Sequence, residues 1–215
     1  MRALSLLVAA LLAGLGPVLI AQNSSLAGVE ALVRQGKLDD AGNQLQAILQ
    51  KQPSNAPALS LLGTVRQRQG NWPEAETMFR HAVASNPRSM DACQELAALL
   101  RDEARWPEAV KQYESCRKLA PANMKVAVEL ATVYEKNADY TKSLALVALI
   151  PAASRPTKLL PAIAADYIAT NNAQKSEEAV ADVLRHAADD PAIVPALANR
   201  LLDHGMTGDA SELLR

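Results

Sequence analysis

The 215-residue chain carries 22 basic and 23 acidic residues, and aromatic residues make up only 3% of it. Because 49% of the residues are hydrophobic and 21% are charged, the composition is that of a folded globular protein rather than a disordered one. The balanced charge, with no long run of one sign, argues against a nucleic-acid-binding or anionic-membrane-binding surface. A core of small and aliphatic side chains suits closely packed helices, so we expect an all-α fold.

The first 21 residues have the pattern of a secretory signal peptide. Arg2 supplies the basic start, an apolar run extends from Ala3 to Leu15, and Ala21 is a suitable cleavage residue. We therefore predict a signal peptide over residues 1–21 and a periplasmic or secreted location. The alternative is an uncleaved membrane anchor, because the apolar part is nearly long enough to span a bilayer. The helix breaker from Gly14 to Pro17 disfavours that alternative.

An internal repeat dominates the rest of the chain. The segment Trp-Pro-Glu-Ala begins at Trp72 and again at Trp106, 34 residues later. The same spacing relates a ladder of apolar residues and a closing proline: Leu62, Ala75, Phe79, Ala82 and Pro87 recur as Leu96, Ala109, Tyr113, Cys116 and Pro121. A fixed period of this length indicates stacked copies of one supersecondary unit.

This ladder resembles the tetratricopeptide repeat (TPR), whose unit is a helical hairpin of about 34 residues. The resemblance implies a right-handed superhelical solenoid of antiparallel helical hairpins. We place four repeats over residues 22–157 and a fifth, divergent repeat over residues 158–193, which carries two extra residues. We expect those two residues in the turn between its helices, near Asn171. Residues 194–215 would form a capping helix or a truncated sixth repeat.

Each Trp-Pro-Glu-Ala segment is expected to begin the second helix of a hairpin. Gly70 would end the preceding helix in a left-handed conformation, and Asn71 would cap the next helix through its side chain. In the fourth repeat Asp139 can take the capping role, whereas Arg105 in the third repeat cannot.

No constellation of catalytic residues is apparent. The three histidines, His81, His186 and His204, are scattered and lack the spacing of metal ligands, and they are expected at surface or boundary positions. Phosphate-binding glycine loops and nucleophile motifs are missing from the sequence. We therefore predict that the protein is not an enzyme and uses neither a metal nor another cofactor.

The two cysteines form a candidate disulfide. The resemblance places Cys93 and Cys116 in the two helices of one hairpin that turns near Ala104, where they should face each other. In an oxidising compartment a disulfide between them is feasible and would contribute about 3 kcal/mol to stability. The alternative is a pair of buried free thiols that act as small apolar fillers.

By resemblance to the family, the first helices of the hairpins line a concave groove that holds a peptide or a partner helix. The predicted partner-binding groove is mostly polar and consists of Glu30, Arg34, Thr64, Gln67, Arg68, Asp91, Gln94, Arg101, Asp102, Thr132 and Glu135. The Lys/Asn/Arg clamp with which some family members grip chaperone carboxylates is absent from the matching positions, which disfavours a cytosolic chaperone adaptor.

We therefore predict a scaffold or adaptor of the bacterial envelope or secreted space that binds a protein or peptide partner. It would bind no nucleic acid and no metal, and it would contact a membrane only if the N-terminal segment is not cleaved. Two alternatives remain. The chain could be the N-terminal repeat region of a larger enzyme or membrane-anchored assembly factor, or it could be a repeat protein that assembles with copies of itself.

Overall fold

A computed structural model describes residues 26–151 and 155–213. Throughout these residues the ordered elements are helices and no strand occurs, which confirms the all-α prediction. No helix of this part is both long and apolar enough to cross a membrane. The predicted signal peptide and its cleavage residue Ala21 lie outside the described residues.

Twelve α-helices follow one another in the described ranges, and a short 3-10 helix (Thr157–Leu159) precedes the ninth. In chain order they are α1 (26–34), α2 (Leu38–Lys51), α3 (Ala56–Arg68), α4 (Trp72–Ser85), α5 (Met90–Asp102), α6 (Trp106–Leu119), α7 (Met124–Lys136), α8 (Tyr140–Ala148), α9 (Leu160–Ala169), α10 (Ala173–His186), α11 (Ile193–Asp203) and α12 (Thr207–Leu213).

The 34-residue period is present in the backbone as well as in the sequence. Every tight turn between the two helices of a hairpin contains one residue with positive φ, at Gly36, Gly70, Ala104, Ala138, Asn171 and Gly205. The spacing is 34 residues except for the step from Ala138 to Asn171, which is 33. Gly70, with φ of 79°, therefore has the predicted left-handed conformation. Ala104 and Ala138 adopt it at a steric cost that glycine avoids.

The two extra residues expected in the turn between the helices of the fifth repeat are not found there. The turn between α9 and α10 has three residues (170–172), the same number as the turn between α7 and α8 (137–139). The loop between α10 and α11 has six residues (187–192), two more than the loop between α6 and α7 (120–123). This longer loop is offset by a shorter α11, which has 11 residues where α7 has 13, so Asn171 and Gly205 remain 34 residues apart.

The caps of the second helices follow the prediction in two hairpins and depart from it in a third. Asn71 Oδ1 accepts a hydrogen bond from the backbone N–H of Glu74 at 3.3 Å, and Arg105 makes no side-chain cap. Asp139 also makes no cap, contrary to the prediction. Its Oδ2 accepts a hydrogen bond from Asn137 Nδ2 at 2.9 Å and lies 3.5 Å from Lys142 Nζ. These side-chain partners take the place of the backbone donor.

The chain divides into two compact units, one that ends at Leu99 and one that begins at Leu100. In the first unit, side chains of α1, α2 and α3 form a buried cluster of Val29, Val33, Ala41, Leu45, Ala58, Leu62 and Val65. In the second unit α9 packs against α8, α10 and α11, and the largest fully buried side chains include Leu130, Ile150, Leu197 and Leu201.

Both cysteines of the chain are buried and disulfide-bonded. Cys93 is 3% exposed and Cys116 is fully buried, and neither is a free thiol. A disulfide of this kind constrains the unfolded chain and thereby stabilises the folded one.

Candidate functional site

The first unit presents part of the predicted groove as an exposed polar face. Glu30 and Arg34 of α1 form an ion pair at 3.8 Å, with side chains that are 54% and 70% exposed. Asp91 is also exposed, and Gln67 and Gln94 are half-buried. Because an exposed ion pair contributes little to stability, Glu30 and Arg34 are available to a partner at small cost to the fold.

Two other predicted groove residues of the first unit donate hydrogen bonds to backbone carbonyls within the fold. Arg68 remains exposed, but its Nη1 donates a hydrogen bond at 2.7 Å to the carbonyl of Val33, in the last turn of α1. The Thr64 hydroxyl donates to the carbonyl of Ser60 at 3.1 Å. The Arg68 contact satisfies a backbone acceptor at a helix end, so replacement of Arg68 is expected to affect the fold as well as the surface.

In the second unit, Arg101 is the centre of a network of polar contacts. Its guanidinium donates hydrogen bonds to Asp102 Oδ1 at 2.8 and 2.9 Å, to the Tyr113 hydroxyl at 3.4 Å and to the Glu129 carboxylate. Asp102 is exposed, whereas Arg101 is half-buried. Thr132 is half-buried too, and its hydroxyl donates to the carbonyl of Val128 at 3.1 Å. Of these predicted groove residues, Asp102 is the most accessible.

Glu135 does not lie on the predicted surface. Its side chain is only 1% exposed, and its carboxylate pairs with the guanidinium of Arg200 from α11. Nε2 of His204, the residue that follows α11, lies 3.7 Å from Glu135 Oε1. The assignment of Glu135 to a partner-binding surface is therefore corrected: the residue belongs to a buried ion cluster.

Asp166 of α9 completes this buried cluster, which we call the α7–α9–α11 cluster and define as Glu135, Asp166, Arg200 and His204. Asp166 is 1% exposed, and neither of its carboxylate oxygens has a hydrogen-bond partner among the residues that the structure describes. Burial raises the pKa of Asp166 to about 7, the charge of Glu135 adds to the rise, and Ser143 and Arg200 oppose it. Burial lowers the pKa of His204, whose ring lies 4.4 Å from that of Tyr140.

The charges of the cluster balance when one proton is added. The two carboxylates and the Arg200 guanidinium together carry one negative charge, which a proton on Asp166 or on His204 neutralises. Ligand atoms of Glu135, Asp166 and His204 lie within 4.8 Å of one another, close enough for a metal ion. However, Arg200 already supplies the positive charge that pairs with Glu135. The arrangement is therefore explained as a structural contact between α7, α9 and α11.

Sequence reasoning missed this cluster because its members are far apart in the chain. His204 has intermediate burial as a residue, which fits the expected boundary position, although its side chain is only 4% exposed. One signal was available: Asp166 is the only charged residue of α9, whose sequence is LPAIAADYIA. A lone carboxylate in an apolar helix calls for a buried partner.

Comparison with known proteins supports the TPR family. The tetratricopeptide repeat family model matches residues 32–100. No curated protein matches the sequence significantly. The family match lies within α1 to α5.

Solved structures match over a larger part of the chain. A TPR protein from Parabacteroides merdae is 17% identical, with a TM-score of 0.73 over 89% of this chain and 76% of that one. YrrB, described as a TPR protein with an unusual peptide-binding site, is 15% identical, with a TM-score of 0.65 over 87% of this chain and 90% of that one. An O-GlcNAc transferase from Thermobaculum terrenum is 23% identical, with a TM-score of 0.52 over 58% of this chain and 24% of that one. The fold is that of TPR solenoid proteins.

Proposed function

We propose that this protein is a non-enzymatic scaffold, exported from a bacterial cytoplasm, that binds a partner protein or peptide on the face of its first helices. A TPR fold favours a protein–protein interaction role, because stacked hairpins offer an extended surface. Export is supported by the signal-peptide pattern of residues 1–21.

The observation that carries the proposal is the exposed polar face of the first unit. Glu30 and Arg34 are largely exposed, and Asp91 and Arg68 are exposed as well. Side chains of both signs on such a face can select a partner of complementary charge. YrrB, which shares the fold, has a peptide-binding site, and that supports the same class of function here.

The test is crosslinking and affinity purification of the tagged chain from its native cell envelope, with identification of the proteins that come along. Charge reversal of Arg68 and Arg101 would be ambiguous, because both side chains also make contacts within the fold. Arg34→Glu is the sharper variant, since Arg34 is 70% exposed and pairs only loosely with Glu30.

Arg88→Glu provides the matched control. Arg88 is exposed in the loop between α4 and α5 and is not one of the predicted groove residues. We expect a specific partner that is retained by the wild type and by Arg88→Glu, and reduced by roughly tenfold in Arg34→Glu. Recovery of the chain without a partner, or equal recovery with both variants, would remove support for this face.

A second candidate function is the repeat region of a larger enzyme. The observation that favours it is the match to the O-GlcNAc transferase, in which this chain corresponds to 24% of the enzyme. An antibody to the chain would distinguish the two candidates in native cells. A band near 22.9 kDa supports the scaffold, whereas a much larger band supports the enzyme region.

A further inference from the structure

A groove lies among α6, α7 and α8 in the second unit, on residues that the sequence analysis did not assign. Its volume is about 540 Å³. Buried Leu130 and Leu146 contribute to its lining, together with the exposed Leu149 and Ala145 and with Pro121 of the α6–α7 loop. The lining is therefore rich in aliphatic side chains.

Large apolar side chains remain exposed in and beside this groove. Leu149, which lines it, is 65% exposed. Leu119 and Met124, at the two ends of the α6–α7 loop, are 39% and 40% exposed. The exposed Leu149 therefore gives the groove an apolar surface that a bound molecule would cover.

The groove also carries a positive charge. Arg117, Lys118 and Lys142 line it, and Glu114 is its one acidic lining residue. Glu114 Oε1 accepts a hydrogen bond from the Tyr134 hydroxyl at 2.7 Å, and Lys142 Nζ lies 3.5 Å from Asp139 Oδ2. Arg117 and Lys118 form no salt bridge with any residue that the structure describes. The groove therefore offers two cations without a carboxylate partner.

We propose that the groove binds a segment of a partner protein that carries a large apolar side chain together with carboxylates. The apolar side chain would pack against Leu146 and Leu149, and the carboxylates would pair with Arg117 and Lys118. The proposal rests on the scaffold function, but it concerns a surface of α6 to α8 rather than the exposed face around Arg34.

The shape of the groove favours a peptide over a small molecule. Small-molecule sites enclose most of their ligand, whereas the exposed Leu149 leaves this groove open to solvent. A peptide lying across the groove can cover Leu149 and still place its acidic side chains beside the cations. An anionic membrane would offer similar chemistry, so the test includes it.

The experiment measures the binding of labelled peptides to the full chain by fluorescence anisotropy. The probe has a Leu-Glu-Glu centre between glycine and serine residues, and the comparison peptides have Ala-Glu-Glu or Leu-Lys-Lys centres. We expect saturable binding of the Leu-Glu-Glu peptide and affinity lower by about tenfold or more for the other two.

Matched variants assign the binding to the groove. Lys118→Glu and Leu149→Ala are each expected to lower the affinity for the Leu-Glu-Glu peptide by about tenfold. Lys111→Glu, another exposed lysine of α6, and Leu184→Ala, an exposed leucine of α10, lie outside the groove and should leave affinity unchanged. All four positions are exposed, so the variants are expected to fold.

Three results would overturn the proposal. They are equal affinity for the three peptides, no binding at all, and unchanged affinity in Lys118→Glu and Leu149→Ala. Binding to vesicles of phosphatidylcholine and phosphatidylglycerol tests the membrane alternative. If the chain binds these vesicles through Lys118 and does not discriminate among the peptides, the groove contacts a membrane rather than a peptide. Failure here is distinguishable from failure of the scaffold function, because the Arg34→Glu experiment uses other residues and native partners.

Discussion

Asp166 is the residue whose environment departs furthest from what its neighbours in the sequence suggest. Its carboxyl group is buried close to Glu135, Arg200 and His204. Ser143 and Tyr140 of α8 are also near it. Burial disfavours the charged form, so the folded protein holds a proton on this group at pH values where the unfolded chain has lost it.

The raised pKa of Asp166 makes stability dependent on pH. The folded-state pKa is about 7 and the ordinary value is 3.8, so this group's contribution is fully present below about 3.8 and is lost as pH rises to about 7. Asp166→Asn removes the ionisation and keeps the shape. We expect the free energy of unfolding of Asp166→Asn to rise relative to wild type, by up to about 1.4 kcal/mol for each pH unit in this window.

Urea unfolding of both proteins at a series of pH values measures this difference. His204 and other groups titrate in the wild type and in Asp166→Asn alike. The difference in free energy of unfolding between the two proteins therefore reports the ionisation of Asp166 to a first approximation. The lowered pKa of His204 works in the other direction, because its contribution is lost as pH falls below the ordinary value of 6.5. A difference between the two proteins that stays constant from pH 4 to pH 7 would contradict the proton on Asp166.

At the scale of the elements, a close contact between α3 and α4 depends on Gly63. A Cβ atom at Gly63 would lie 2.6 Å from Cε1 and 2.7 Å from Cδ1 of Phe79. Phe79 is fully buried, so its ring has little room to move away. The helices can approach this closely because position 63 has no side chain, which explains why glycine stands inside a helix that it disfavours.

Gly63→Ala is expected to lower the free energy of unfolding by about 1–3 kcal/mol, because overpacking outweighs the better helix propensity of alanine. Gly28→Ala is the control: a Cβ atom at Gly28 of α1 has nothing within 4 Å. That variant should be unchanged or more stable by less than about 1 kcal/mol. Denaturant unfolding measures the stability of both variants. If the Phe79 ring causes the loss in Gly63→Ala, then Phe79→Leu should lower the free energy of unfolding less in the Gly63→Ala protein than in wild type.

At the scale of the whole molecule, the disulfide-bonded cysteines couple stability to redox conditions. Both are buried and disulfide-bonded. Reduction is expected to lower the free energy of unfolding by about 3 kcal/mol, because the reduced unfolded chain has more conformations. Urea unfolding with and without a reductant measures this change.

A Cys93→Ala and Cys116→Ala double variant is the control for that measurement. Its stability should not depend on the reductant and should lie near that of the reduced wild type, apart from the loss of two small buried sulfur groups. Identical unfolding of the wild type with and without reductant would show that the bridge contributes nothing measurable. An oxidising compartment, as the signal-peptide pattern predicts, would preserve the bridge.

Much of the fold could be predicted from the sequence because its signals are local. Trp72, Pro73 and Asn71 begin α4 as expected, and Gly70 ends the preceding turn with positive φ. Where the local signal was ambiguous, the prediction was wrong. Asp139 had the right side chain for a cap, yet Asn137 and Lys142 engage it instead. The two extra residues predicted near Asn171 are absent from that turn, which has three residues like the turn between α7 and α8.

The candidate surfaces were less predictable, since exposure depends on what packs against a helix. Glu30 and Arg34 are exposed as the repeat register implies. Glu135 also belongs to a first helix, but it is buried against Arg200 of α11 and His204, which follows α11. The groove beside Lys118 likewise combines residues of three helices.

The amino-acid sequence was sufficient to establish an all-helical chain of repeated hairpins, because the period, the turns and most helix starts are encoded within a few residues of one another. The α7–α9–α11 cluster and the groove among α6, α7 and α8 became visible in the folded chain. Glu135 and Arg200 are 65 positions apart, and their pairing, like the burial of Asp166 between them, depends on how helices pack rather than on any local motif.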